Sequence, residues 1–310
     1  MVTASGIQAL KAATKIPPKT VRVAIKRYSP ETGRAWWQVY TVETYRGMTV
    51  LDALLKIKEE QDPTLVMRYS CRMGVCGSCG MIIDGQPRLA CQTQVSMVAR
   101  DDKPEFTVEP MKNYPVVRDL LVDMTGFFEK HRSVRPYLIR RDVEERERGD
   151  LEYKMTPEEH LEIYPYSLCI SCGLCVASCP VAASDESFLG PQALTQLWRY
   201  VADVRDEGWE LRLKLADDDN AVAKCHFAAS CSAACPKAVD PAGAIQKLRS
   251  ALLKYKMGMW RKKKIAGKVE PIKEVKPRQP LPKEAETLPG VDLEKLEKEP
   301  VEIKPEILLE

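Results

Sequence analysis

The placement of cysteine constrains this chain more than any other feature, because its eleven cysteines fall into three tight groups. They are Cys71, Cys76, Cys79 and Cys91, then Cys169, Cys172, Cys175 and Cys179, and finally Cys225, Cys231 and Cys235. Several neighbours are separated by only two residues, the total is odd, and no secretory signal indicates an oxidising compartment. A disulfide framework is therefore disfavoured. Thiolates at such spacings are typical ligands of zinc or of iron-sulfur clusters.

The first group follows the spacing of plant-type 2Fe-2S centres, which is Cys-x4-Cys-x2-Cys with a fourth cysteine further along the chain. Its members are Cys71, Cys76, Cys79 and Cys91. Gly74, Gly77 and Gly80 allow the backbone to wrap closely around an inorganic core, with amide N–H groups near its sulfurs. Four thiolates also suit a structural zinc ion, but asymmetric spacing in a glycine-rich loop favours the 2Fe-2S centre.

The second group has the run Cys-x2-Cys-x2-Cys-x3-Cys-Pro of bacterial two-cluster ferredoxins, in which the fourth cysteine binds the other cluster. A second copy begins at Cys225, with Ala228 in place of its middle cysteine. Exchange of the fourth cysteines predicts a complete 4Fe-4S ligand set, namely Cys169, Cys172, Cys175 and Cys235. The other set contains only Cys179, Cys225 and Cys231. It predicts a 3Fe-4S cluster, because no protein atom at Ala228 would hold a fourth iron.

Length and composition indicate a globular chain with more than one core, since 45% of its 310 residues are hydrophobic and 29% are charged. No stretch approaches the roughly 18 apolar residues that a spanning helix needs, so we expect any membrane contact to be peripheral. The formal net charge is only +3, and no basic helix is interleaved with aromatic residues. Nucleic acid is therefore not an expected partner.

Changes of pattern divide the chain into a leader over 1–19, a domain over 20–114, a helical domain over 115–264 and a tail over 265–310. The leader contains Lys11, Lys15 and Lys19 but no acidic residue. We interpret it as a flexible basic segment, with a transit peptide as the alternative. The tail is rich in Pro, Glu and Lys and has no aromatic residue, so it cannot bury enough apolar surface to order itself alone.

The N-terminal domain begins with a hairpin and a helix. Residues 21–26 alternate between apolar and polar side chains, and residues 37–42 form a second strand after a turn. Thr49 and Asp52 form a capping box that begins a helix, which ends at the following Asp-Pro. A strand pair, a helix and a cysteine-bearing loop predict a small β-grasp domain of the plant-type ferredoxin kind.

The pattern becomes helical beyond Pro115, where two apolar stripes recur at helical spacing. The first stripe follows Gly190-Pro191 and comprises Leu194, Leu197, Trp198, Val201 and Val204; the second follows Asp240-Pro241 and comprises Ile245, Leu248, Leu252 and Tyr255. We interpret both stripes as core faces rather than as cofactor sites. The predicted fold class is therefore α+β: a β-grasp plant-type ferredoxin domain, then an all-α domain like the bacterial two-cluster ferredoxins.

Three clusters provide a route for electrons but no substrate site. The sequence contains no G-x-G-x-x-G fingerprint for a dinucleotide and no P-loop. A flavin or nicotinamide would therefore be bound by a separate chain, and we expect a catalytic partner.

Four stretches resemble the iron-sulfur subunit of the succinate dehydrogenase and fumarate reductase family, and the resemblance covers about residues 20–260. They are Ser70–Gly80, Pro87–Cys91, Pro115–Leu120 and Phe188–Pro191. The resemblance implies an FAD-containing flavoprotein partner that interconverts succinate and fumarate. It also implies a membrane anchor with quinone near the 3Fe-4S cluster, and this subunit as the relay between the two. We expect the chain to lie peripherally on the cytoplasmic face of the cell membrane, within a membrane complex.

The resemblance also implies that Pro180, Ser184 and His226 lie in the vicinity of quinone. Many quinone-linked members carry paired tryptophans after the Cys-Pro, whereas residues 181–184 here are Val, Ala, Ala and Ser. A lone histidine is more often structural, but its neighbour Cys225 favours a role for His226 beside the cluster. The Arg72-Met73 form of the first loop is similar to that of fumarate reductases. Succinate oxidation and fumarate reduction therefore both stay open, as do a free multi-cluster ferredoxin and a zinc scaffold.

A cluster of positive charge follows three large apolar side chains near the end of the helical domain. It comprises Arg261, Lys262, Lys263 and Lys264, after Met257, Met259 and Trp260. Such a segment suits contact with an anionic lipid surface beside a membrane partner, and its ordinary alternative is a solvated helix end.

Overall fold

The computed structural model describes residues 17–140 and 153–260. Most of the predicted leader, the basic cluster over 261–264 and the tail over 265–310 lie outside these residues. Within the described ranges, no helix is long and apolar enough to cross a membrane.

A five-stranded mixed sheet forms the N-terminal part of the fold. Its strands are β1 (Thr20–Ser29), β2 (Arg34–Glu43), β3 (Gly80–Ile83), β4 (Gln86–Leu89) and β5 (Glu105–Glu109), in the spatial order β2-β1-β5-β3-β4. The predicted hairpin is thus confirmed as the antiparallel pair β1 and β2. On its other side β1 pairs in parallel with β5, with Arg22 opposite Glu105. Alternate residues of β1, such as Val23 and Ile25, point into the core and are fully buried.

Helix α1 (Val50–Glu60) packs its apolar side on this sheet. It begins with the predicted capping box, because the Thr49 side chain accepts from the Asp52 N–H while the Asp52 carboxylate accepts from the Thr49 N–H. Leu51, Leu54 and Ile57 recur at helical spacing and are all buried. The short helix α2 (Val95–Val98) follows β4 and lies in the same core.

The helical pattern does not begin at Pro115, because a short hairpin comes first. Strands β6 (Val116–Arg118) and β7 (Leu121–Val122) pair across a turn in which Asp119 has a positive φ of 48°. The Asp119 carboxylate fixes this turn by accepting from Arg27 Nε at 2.8 Å and from the Val66 N–H at 2.9 Å. These partners lie 92 and 53 residues away in sequence, so local periodicity could not reveal the turn.

The remaining elements of the described residues are helical. These are α3 (Thr125–Ser133), α4 (Pro157–Ser167), α5 (Leu174–Ala177), α6 (Pro180–Ser184), α7 (Pro191–Ala202), α8 (Trp209–Ala216), a 3₁₀ turn (Val222–Lys224), α9 (Ser230–Ala233) and α10 (Pro241–Lys256). The first stripe lies on α7 except for Val204, which follows the end of that helix, and the second lies on α10. The two helices meet in one core, which confirms the interpretation of the stripes as packing faces. Asp240 begins α10, since its carboxylate accepts from the Gly243 N–H.

A fully buried ion pair fixes the segment that leaves α3. Arg212 on α8 pairs with Asp206 at 2.9 Å, and neither side chain is exposed to solvent. The same guanidinium donates to the carbonyl oxygens of Val134, Arg135 and Tyr137. Buried charges are tolerated where every donor has a partner, so this network holds α3 in place against the helical core.

Candidate metal centres

The first cysteine loop directs backbone N–H groups at the sulfur of Cys71. Val75 and Cys76 both donate to Cys71 Sγ at 3.3 Å, and Met73 donates at 3.5 Å. These backbone hydrogen bonds, with that of Met73 the largest, lower the pKa of the Cys71 thiol to about 6. Gly77 has a positive φ of 73°, a conformation that bends the loop and that glycine adopts without strain. The loop therefore favours the thiolate, which is the form that binds iron.

The other cysteines of this group extend from the surface into the core. Cys76 is exposed, whereas Cys79 and Cys91 are buried in the core of the sheet domain. Burial raises the pKa of Cys79 to about 12. A buried thiolate needs a neighbouring positive charge, so this half of the site is suited to a metal rather than to free thiolates.

The two cysteine runs of the helical region have the same local conformation. Ser171 in the first run is equivalent to Phe227 in the second, and their φ angles are 51° and 55°. Gly173 is likewise equivalent to Ala229, and their φ angles are 81° and 58°. Each run then enters a four-residue helix, α5 in the first and α9 in the second. Ala228 therefore stands where Cys172 stands in the first run.

Each run contributes its last cysteine to the cavity of the other run. One cavity is lined by Cys169, Cys172, Cys175 and Cys235, and the other by Cys179, Cys225 and Cys231 together with Ala228. Burial raises the pKa of Cys172 and of Cys231 to about 11, and neighbouring thiols from both runs act in the same direction. No group of three or more His, Cys, Asp or Glu residues within the described ranges is arranged to hold a single metal ion. The thiols surround cavities instead.

The first loop packs on the second cysteine run. A Cβ atom added to Gly77 would lie 2.7 Å from Cys172 Cβ, which is closer than real atoms approach. Two side chains that the sequence pattern did not indicate hold this junction together. Asn113 donates to the carbonyl oxygens of Val176 at 2.8 Å and Cys179 at 3.0 Å, and the Tyr114 hydroxyl donates to that of Gly173 at 3.0 Å.

The three residues expected near quinone do not share one position. Pro180 and His226 line the cavity that contains Ala228, and both are exposed at its edge. The hydroxyl of Ser184 lies on α6 and donates to the Val181 carbonyl oxygen at 3.2 Å, and this side chain is not among those that line the cavity. Phe227 is 52% exposed beside His226 and was not indicated by the sequence pattern.

We expect Gly77→Ala to destabilise the protein strongly. The positive φ alone costs about 1–2 kcal/mol for a residue with a Cβ, and overpacking against the Cys172 backbone adds about 1–3 kcal/mol. Chemical denaturation of the cluster-loaded protein measures the change in the free energy of unfolding. Gly85→Ala is the matched control, because Gly85 has a φ of 76° but no atom within 4 Å of an added Cβ. Equal losses in the two variants would contradict the close packing at Gly77.

Comparison with known proteins agrees with this arrangement. Residues 22–129 match the family model described as a 2Fe-2S iron-sulfur cluster binding domain, and residues 166–239 match the one described as a 4Fe-4S dicluster domain. The fold and its thiol sites thus define an iron-sulfur protein with more than one cluster.

Relatives identify the family within that class. The chain is 47% identical over 228 residues to the fumarate reductase iron-sulfur subunit of Mycobacterium tuberculosis, covering 73% of this chain and 90% of that one. It is 37% identical over 235 residues to the succinate dehydrogenase iron-sulfur subunit of Paracoccus denitrificans, covering 75% and 88%. A chain of the Mycobacterium smegmatis Sdh1 complex in the apo form superposes with a TM-score of 0.69 at 28% identity, covering 77% of this chain and 97% of that one. The chain belongs to the family of fumarate reductase and succinate dehydrogenase iron-sulfur subunits, and it is an electron-transfer protein.

Proposed function

We propose that this chain relays electrons between a flavoprotein partner and quinone at a membrane anchor, as a subunit of a succinate:quinone oxidoreductase. The observation that carries the proposal is the continuous succession of thiol sites. The first loop packs on Cys172, and Cys175 lies near both Cys172 and Cys231 of the two helical cavities. The alternative is that the complex works in the reverse direction, as a fumarate reductase, since the same succession of sites could carry electrons either way. The relative at 47% identity, which is named a fumarate reductase subunit, supports this alternative.

We assign the cluster ligands as three sets. The 2Fe-2S ligands are Cys71, Cys76, Cys79 and Cys91; the 4Fe-4S ligands are Cys169, Cys172, Cys175 and Cys235; and the 3Fe-4S ligands are Cys179, Cys225 and Cys231. Support for the last two sets comes from the cavities that these side chains line. Support for the first comes from the N–H groups directed at Cys71 and from the buried pair Cys79 and Cys91.

The residues present fit these groups. All donors are thiols, and iron-sulfur clusters are held by cysteine thiolates. When bound, each cluster supplies a site that takes up and releases one electron. The chain itself supplies three functions: thiolates that hold the irons, backbone N–H groups that stabilise negative charge on sulfur, and apolar cavity walls such as Val239 and Phe188 that exclude water.

The third cluster type follows from Ala228. Its methyl group occupies the position equivalent to Cys172, and no other cysteine lines that cavity besides the three assigned. Three thiolates around a vacant corner favour a 3Fe-4S cluster.

Two exposed apolar surfaces suit the two partners. Met73 is 70% exposed on the first loop beside the exposed Cys76, and we propose this surface as the contact of the FAD-containing flavoprotein. Phe227 and His226 lie at the mouth of the cavity that contains Ala228, and we propose this surface as the contact of the membrane anchor and quinone. The chain would then lie peripherally on the cytoplasmic face of the membrane.

Pro180 and His226 are the residues we propose beside quinone, and both line the same cavity edge. Ser184 is retained as a more distant member of this site, since its hydroxyl is engaged with the backbone of its own helix. Small side chains after Pro180 leave space where other family members have tryptophans.

The finer fold assignment is also a proposal. We propose that residues 20–114 form a β-grasp domain of the plant-type ferredoxin kind and that residues 115–264 form a domain like the two-cluster ferredoxins. The mixed sheet with α1 packed on it supports the first assignment. The repeated conformation around Ser171 and Phe227 supports the second.

Chemical analysis of the purified complex tests the three-cluster assignment. We expect about nine irons in this chain, because the three ligand sets correspond to 2Fe-2S, 4Fe-4S and 3Fe-4S clusters. The complex should contain a flavoprotein and should reduce quinone with succinate or oxidise quinol with fumarate. An iron content near four, stoichiometric zinc, or a lone chain without a flavoprotein would contradict the proposal.

A further inference from the structure

Gln192 is a buried polar side chain in the first turn of α7. It is only 3% exposed and lines the cavity formed by Cys169, Cys172, Cys175 and Cys235. A buried amide is costly unless it is hydrogen-bonded, so its partners indicate why it is there.

The nitrogen of this amide lies between a histidine and a cysteine. Gln192 Nε2 is 3.0 Å from His131 Nδ1 and 3.9 Å from Cys169 Sγ. An amide NH₂ carries two hydrogens, so it can donate to both neighbours at once. Gln192 Oε1 is buried and has no hydrogen-bond partner in the structure.

His131 determines which end of the amide faces the sulfur. Burial lowers the pKa of His131 and so favours the neutral ring, whose Nδ1 accepts a hydrogen bond in the tautomer that carries its hydrogen on Nε2. A reversed Gln192 would place its oxygen against Cys169 Sγ and would leave both N–H groups buried without a partner. Unpaired buried donors cost more than the single carbonyl left unpaired in the present orientation.

We infer that Gln192 and His131 are positioning residues that raise the reduction potential of the 4Fe-4S centre, an inference that rests on the ligand set proposed above. An N–H group directed at a ligand sulfur stabilises the more negative, reduced state of a cluster. His131 does not contact the sulfur; it acts by holding Gln192 in the orientation that donates.

Redox titration of the intact complex, followed by electron paramagnetic resonance, tests this inference. We expect Gln192→Met to shift the reduction equilibrium of the 4Fe-4S centre about tenfold toward the oxidised form, which is ~59 mV for one electron. The 2Fe-2S and 3Fe-4S potentials should stay unchanged and serve as internal references. An unchanged 4Fe-4S potential would overturn the inference.

Gln196→Met is the matched control. Gln196 lies one turn further along α7 and is also 3% exposed, but its amide donates to the Tyr166 carbonyl oxygen at 3.2 Å. We expect this variant to leave all three potentials unchanged, although it also removes a buried amide. An equal shift in the control would mean that helix packing sets the potential, and the inference would fail.

Variants of His131 provide a second test that is independent of Gln192 variants and their folding. His131→Leu removes the acceptor and should lower the 4Fe-4S potential in the same direction. His131→Asn keeps an acceptor oxygen near the position of Nδ1 and should restore the wild-type value. Equal potentials in the two variants would overturn the role of His131. A wild-type complex without any 4Fe-4S signal would instead overturn the ligand set itself.

Discussion

Ala228→Cys should abolish the paramagnetic signal of the oxidised 3Fe-4S cluster. The substitution places a thiolate at the position equivalent to Cys172, where the first run has its middle ligand. A fourth iron could then be held in the vacant corner. The oxidised 4Fe-4S cluster that forms has no net spin, so the change is read from resonance spectra of the oxidised complex.

The same substitution should lower the potential at this site. An added thiolate increases the negative charge around the cluster, and cluster type and net charge are among the terms that set potentials between roughly −700 and +450 mV. Because ~59 mV is tenfold in a one-electron equilibrium, even a small fall opposes transfer to quinone. Quinone reduction should slow, while succinate oxidation with an artificial acceptor is retained.

Ala233→Cys is the matched control for an added thiol. Ala233 is an exposed residue of α9 in the same run, and it does not line the cavity that contains Ala228. We expect the 3Fe-4S signal to persist in this variant. If the signal also persists in Ala228→Cys, then position 228 does not face the vacant corner.

Elements with strong local signals were predicted well from the sequence. The capping box at Thr49 and the Asp240-Pro241 start of α10 each involve residues within three positions of one another. Strands β3, β4 and β5 were not predicted. They contain only four or five residues each, and β5 is placed by pairing with β1 from about eighty residues earlier in the chain. Such pairings leave little trace in local periodicity.

The residues of the candidate site also divide into those that the sequence pattern predicted and those that it could not reveal. Cysteine spacing predicted which thiols would line each helical cavity, because most of the thiols of each cavity come from one run. Gln192, Asn113 and Tyr114 were missed, since each reaches a cysteine run from another element. Gln192 is 23 residues from Cys169 in sequence, and its role depends on how α7 packs. The local signal that could have drawn attention to it is a glutamine placed directly before the apolar stripe of α7.

The proposed exchange of the fourth ligands leads to an outcome that sequence order alone would not suggest. Cys235 belongs to the second run, yet it lines the cavity of Cys169 and Cys172. We therefore expect Cys235→Ala to eliminate or convert the 4Fe-4S cluster and to leave the 3Fe-4S signal of the oxidised complex in place. Removing one of four ligands deprives a cluster of an iron attachment, so the loss should be nearly complete.

Cys231→Ala is the reciprocal control within the same run. Cys231 lines the other cavity with Cys179 and Cys225, so its loss should remove the 3Fe-4S signal. The 4Fe-4S signal of the reduced complex should persist in this variant. Both spectra are recorded on membranes, where the 2Fe-2S signal reports the amount of assembled subunit.

If Cys235→Ala instead removed the 3Fe-4S signal and spared the 4Fe-4S cluster, each run would bind its own cluster. The fourth ligands of the two helical sets would then have to be exchanged, although Cys235 and Cys172 line the same cavity.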